Sequence, residues 1–194
     1  MKFDWKTFLV EFSNELLKIG EIRDSLPEEV VEQGWMGYSG ARDSEIEDLE
    51  NRLGIQLPYS YRKFLEVSNG WRNTGYFINH VWSTREVTWF RERHSDWINA
   101  YTIPFHGAPA LSDEEYLVYG DEQDPVLFRT EYLETALEIS DIGDDAIYLL
   151  NPEIKNDEGE WEAWFFANWN PGAVRYPSFQ ILMEDARRAL GEDT

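Results

Sequence analysis

The chain has 194 residues, 42 % of them hydrophobic and 15 % aromatic, no cysteine, and 38 acidic residues against 17 Lys plus Arg, for a formal net charge of −21. That length and apolar content suffice for one domain with a sizeable core, and the lack of cysteine excludes a disulfide framework and thiolate metal sites. The charge argues against nucleic acid as a ligand, because such a field repels phosphate and attracts basic proteins.

Taken in order, Trp5, Phe8, Leu9, Phe12, Leu16 and Ile19 recur at helical spacing behind an Asp4 cap and ahead of Gly20. This amphipathic helix is expected to pack on the domain rather than to serve a partner. Leu26-Pro27-Glu28-Glu29-Val30-Val31 restarts a short helix with proline in its first turn, ending near Gly34. Ser44 with Glu47 reads as a capping box for a helix whose stripe is Ile46, Leu49 and Leu53, closed by Gly54. Pro58 opens a second helix bearing Tyr61, Phe64, Leu65 and Ser68, with Asn69-Gly70 supplying left-handed residues that stop it.

Trp71 to Trp82 suits a loop and a short strand, and Ser83 or Thr84 is read as the cap of a helix through Arg93, with Val87 and Phe90 inward. Residues 97 to 111, with Pro104 and Pro109, read as an irregular connection. From residue 112 the pattern turns to short β-prone runs, at 116–119, 132–140, 146–150 and 161–168, separated by Gly-Asp and Asn-Asp-Glu-Gly turns. Ser178 then caps a final helix carrying Phe179, Leu182, Met183, Ala186 and Leu190, with Arg187 and Arg188 in its last turns. The expected class is α+β, a mostly antiparallel twisted sheet flanked by helices.

The order of a helix ending Leu53-Gly54, then Leu57-Pro58, Tyr61-Arg62, Phe64-Leu65 and Asn69-Gly70, preceded by Trp35, Gly37 and Gly40-Ala41, resembles the SUKH superfamily. Glu45-Ile46 and Leu49-Glu50 match in the same register, and Ser178-Phe179 is similar to the start of that family's closing helix. The resemblance implies a SUKH-like domain over 34–194 behind an N-terminal helical extension, 1–33. Founding members of the family are yeast regulators of cell-wall glucan synthesis, and bacterial members are mostly immunity proteins that bind and block a cognate toxin, often one that modifies nucleic acid. Both a toxin-neutralising role and a regulatory or scaffold role without a toxin partner are therefore open at this point.

No chemistry competes with binding. His80, His94 and His106 lack ligand spacing, and no nucleotide-binding loop or nucleophile elbow occurs. A metal-dependent nuclease site drawn from Asp141, Asp144, Asp145, Glu153 and Lys155 would sit in a segment that repels its own substrate. The basic group Arg85, Arg91, Arg93 and His94 is the one place for an anion, and helix charges of this kind are ordinarily solvated. No catalytic residue, metal or cofactor is expected.

The acid is unevenly placed: residues 94–174 hold 18 acids and 2 bases, together with Trp97, Trp161, Trp164 and Trp169, and Trp89 lies just before them. Asp113, Glu114, Glu115, Asp121, Glu122 and Asp124 put six carboxylates in twelve residues and are the expected contacts for a basic protein toxin. Trp161 and Trp164 are the expected anchors, although on a strand they face opposite ways. With no run of 18 apolar residues and no signal-peptide pattern, the expectation is a cytoplasmic protein that contacts neither membrane nor nucleic acid.

Overall fold

In the computed structural model, which describes residues 2–102, 111–170 and 172–191, the first apolar stripe forms helix α1 (Trp5–Leu16), opened by the Asp4 carboxylate accepting the Thr7 N–H at 3.1 Å. Its buried face is Trp5, Phe8, Leu9, Phe12 and Leu16. Trp5 stacks on Phe179 with centroids 5.6 Å apart and meets Phe64 edge-on at 5.6 Å. Ser13 on the same face donates from Oγ to the Leu9 carbonyl and accepts the Met36 N–H at 3.1 Å, so its buried hydroxyl is used twice. The helix packs on the domain, as its aromatic face suggests. Arg187 adds ion pairs at 2.7 Å to both Glu11 and Glu15.

Two short helices follow, α2 (Gly20–Asp24) and α3 (Glu28–Gln33). Gly34 ends α3 in the left-handed conformation, φ 64°. Helix α4 (Asp43–Leu53) starts two residues earlier than a Ser44 cap implied, and it is Glu45, not Glu47, whose carboxylate accepts the Arg42 N–H at 3.0 Å. Helix α5 (Tyr59–Val67) begins behind Pro58, which has no side chain able to cap it. The Glu160 carboxylate, a hundred residues away, takes that role by accepting the Ser60 N–H at 2.8 Å and its hydroxyl at 2.6 Å. The stop after α5 is an extended Ser68 rather than two left-handed residues; only Gly70 has positive φ.

Strands β1 (Trp71–Arg72) and β2 (His80–Val81) pair with each other. The large sheet is antiparallel throughout, in the order β3 (Thr88–Trp89), β4 (Leu137–Glu138), β5 (Ala146–Lys155), β6 (Trp161–Ala167) and β7 (Ala173–Tyr176). Ala146, Tyr148, Leu150, Trp161 and Ala163 face the core built with α1, α4, α5 and the closing helix α8 (Phe179–Ala189); Ile147, Leu149, Trp164, Phe166 and Ala173 face a second core with Phe90, Ile98, Phe128 and Leu133. A sheet covered on both faces explains why β5 opens as an unbroken apolar run.

Several expectations are corrected. Residues 84–93 are not a helix: Ser83 and Glu86 close a single turn, and Thr88-Trp89 pairs with β4 before a 3-10 turn at Phe90–Glu92. Residues 116–119 are not a strand, because Ser112 and Glu115 form a capping box that starts helix α7 (Asp113–Tyr116). Of the run 132–140, only Leu137–Glu138 is strand, Thr130–Glu134 being 3-10. Helix α6 (Ser95–Thr102) occupies the start of the stretch read as an irregular connection, while Pro104, His106 and Pro109 lie outside the described residues.

Phe12→Ala is expected to destabilise the chain by about 3–5 kcal/mol in urea unfolding, since α1 fills the core rather than decorating it. Glu15→Gln is expected to lose about 0.5–1 kcal/mol at neutral pH, as befits a partly exposed pair. Hydrogen bonding from Arg187 holds the Glu15 carboxyl below the usual carboxylate range. The pair therefore stabilises the fold above that range, and the difference between parent and variant should vanish as acid protonates Glu15.

Candidate functional site

The acid-rich part of the sequence becomes a layer. The described residues of the 94–136 stretch, 94–102 and 111–136, which include α6, α7 and the 3-10 turn Thr130–Glu134, cover the second face of the sheet, and the stretch carries nine acids against one base, Arg129. That arginine is spent internally: it lies 2.6 Å from Asp113, donates to the Leu111 carbonyl and stacks over Tyr116. Of the 18 acids in residues 94–174, fourteen are exposed. Among the described residues, the carboxylates of Glu114, Asp121 and Glu122 make no hydrogen bond or ion pair. Glu115 instead caps α7 through Ser112, and Asp124 accepts the Val126 N–H.

A buried polar cluster fixes this layer to the sheet. Glu162, near the start of the interior strand β6, accepts Tyr116 Oη at 2.8 Å, Tyr119 Oη at 3.0 Å, Asn151 Nδ2 at 3.0 Å and Trp164 Nε1 at 2.7 Å. Arg175 Nη1 lies 3.9 Å from it, and both side chains are inaccessible. Burial, followed by the neighbouring Glu162 charge, pushes the Tyr116 and Tyr119 phenols well above their ordinary range, which keeps them protonated donors. Gln123 completes the attachment, its amide exchanging two 2.7 Å hydrogen bonds with the backbone of Arg175 on edge strand β7. The side chain thus occupies the place of a further strand and blocks that edge.

The predicted contacts are only partly brought together. Asp113, Glu114, Glu115, Asp121, Glu122 and Asp124 lie exposed on this layer. Trp161 and Trp164 do not: they are 2 % and 0 % exposed, one in each core, because the sheet is covered on both faces. Neither can anchor a partner. The tryptophan that sequence reasoning passed over is Trp169, 51 % exposed; its setting, Asn168-Trp169-Asn170-Pro171-Gly172, is a turn composition that marks a surface loop.

The other constellations dissolve. Arg93 reaches Glu138 at 3.1 Å and stacks on Trp82, His94 Nε2 lies 3.0 Å from Glu138, Arg91 donates to the Glu134 carbonyl, and Arg85 approaches Glu45 at 3.9 Å. Asp144 and Asp145 precede β5 whereas Glu153 and Lys155 end it, more than about 20 Å away at the rise of a strand. No group of three metal-ligating side chains forms among the described residues, and no helix is long and apolar enough to cross a membrane.

Glu162→Ala is expected to destabilise the fold by about 3–5 kcal/mol, because it leaves the Arg175 charge buried without its anion. Amide hydrogen exchange should accelerate first over residues 116–123, which hang on the same carboxylate.

No curated protein matches the chain. The model of the SMI1 / KNR4 family (SUKH-1) matches residues 40–185, from the approach to α4 into α8. That match takes in α5 with its remote Glu160 cap, the whole large sheet, and the acidic layer that Glu162 holds in place. The chain belongs to the SMI1 / KNR4 (SUKH-1) family.

Proposed function

We propose that the protein is a non-catalytic immunity protein, which neutralises a cognate basic toxin by covering its cationic surface with the acidic layer. The observation that carries this reading is the nine-to-one charge imbalance of residues 94–136, whose one arginine is already paired. Enzymes that act on nucleic acid line their channels with lysine and arginine. A rigid surface bearing unpaired carboxylates competes for those side chains and accelerates encounter. Rigidity matters because an ordered layer does not pay again for ordering when it binds. Family membership supports a protein-interaction role in general, and the charge pattern selects the partner's sign. The cytoplasm, where a toxin would meet its target, is the compartment this reading requires.

The test has two stages. Material retained by the protein from its own cells is washed at low and then high salt and identified by mass spectrometry; one basic protein, released by salt, is expected. That protein expressed alone should arrest growth, and co-expression should restore it; several neutral regulatory partners with no toxicity would refute the proposal. Glu114→Lys, Asp121→Lys and Glu122→Lys together, chosen because these carboxylates support nothing in the fold, should slow association about tenfold or more at low salt, and the effect should shrink at high salt.

A further inference from the structure

Three loops meet at one end of the large sheet: residues 73–79, the turn 141–145, and residues 168–170. The first is closed by the Asn73 and Thr74 N–H groups donating to the Asn79 and Ile78 carbonyls, at 2.8 and 2.9 Å. Gly143 presses against it so closely that a Cβ there would fall 1.7 Å from the Phe77 carbonyl oxygen. The Asn168 N–H and the Trp169 indole tie the third loop to the Asp145 and Asp144 carbonyls, at 3.1 and 2.8 Å.

On this frame Phe77, Phe165 and Trp169 form a triangle with ring centroids 5.4 to 5.9 Å apart. Tyr76, Phe77 and Trp169 are 53 %, 39 % and 51 % exposed. Large aromatic surface held rigidly in water is the composition of an interface anchor. The three loops contain Asp141, Asp144 and Asp145 and no lysine or arginine. Asp144 and Asp145 are exposed at φ 49° and 57°, in a two-residue hairpin turn that favours Asn-Gly, so charge stands where uncharged residues fit with less strain. A second copy of a chain at −21, a nucleic acid or an anionic lipid surface would be repelled here.

We infer that this aromatic patch docks a polypeptide segment in which an arginine stands beside an apolar residue. The guanidinium stacks on Trp169 and pairs with Asp144 and Asp145, while the apolar neighbour lies against Phe77. The patch is separate in its residues from the acidic layer, and its test does not depend on the toxin reading. The two surfaces adjoin, since the Ala173 N–H beyond the 168–170 loop donates to the Pro125 carbonyl at 3.2 Å.

The experiment is an NMR titration of the full chain with the synthetic peptide acetyl-Ala-Arg-Leu-Arg-Leu-Ala-amide and with its counterpart carrying glutamate for arginine. The Trp169 indole is assigned from Trp169→Phe. The arginine peptide should shift the Trp169 indole and the Asp144 and Asp145 amides saturably. The glutamate peptide should shift them at least about tenfold less, as should the arginine peptide added to Asp144→Asn/Asp145→Asn, a variant whose side chains tolerate positive φ. Equal shifts with both peptides, no shift at the patch, shifts confined to residues 113–124, or concentration-dependent shifts of the protein alone would each overturn the inference.

Discussion

The register of the 113–124 segment on the acidic side of the molecule is set by one carboxylate, Glu162. It lies on the interior strand β6, gathers four donors from three different parts of the chain, and faces a guanidinium on the neighbouring edge strand. A buried ion pair of this kind contributes little net stability compared with apolar packing, because desolvating both charges offsets most of the attraction. Its consequence is positional. Tyr116 and Tyr119 can satisfy their hydroxyls only with the 113–124 segment lying in one register against the sheet, and Gln123 then matches the backbone of Arg175. The unpaired surface carboxylates repel one another, and the buried cluster beneath holds them in place.

The opposite side of the sheet follows a different logic. There the core is aromatic, with Trp5, Phe64 and Phe179 packed ring against ring; the Ser13 hydroxyl inside it is matched, whereas Tyr61 Oη and Trp71 Nε1 have no partner among the described residues. Basic residues on that side are largely consumed by neighbouring acids: Arg187 by Glu11 and Glu15, and Arg62 by Glu50 and Glu66. The acid is thus poorly compensated in the 94–136 layer, where nine carboxylates share one arginine, while the remaining excess lies mainly in residues 137–174.

The helices that were legible in the sequence are those whose signals agree at every level. In α1, α4, α5 and α8 an apolar stripe at helical spacing coincides with an end signal: Asp4, Gly54, Pro58 or Ser178. The β region was legible as a class but not in detail. Strands of two residues such as β3 and β4 are defined by their partners rather than by their own composition, so Thr88-Trp89 was absorbed into a helix pattern and Tyr116 to Tyr119 into a strand. The exposure of the acidic residues 113–124 could be read because it is the default for such side chains. The tryptophan anchors could not, since alternation on β6 assigns Trp161 and Trp164 to opposite faces without saying that both faces are covered. Glu162 stayed hidden for the same reason: between two tryptophans it reads as the solvent side of a strand, and the segment carrying Tyr116 and Tyr119, which covers that face, makes it interior.

The measurement that bears most directly on the account is hydrogen exchange of the chain, free and bound to the basic protein it retains at low salt. Protection gained over residues 113–126 and in the 168–170 turn, with the α1 and α8 helices unchanged, is the predicted result. Protection confined to the outer surface of α1 and α8, with the acidic layer exchanging as in the free protein, would contradict it.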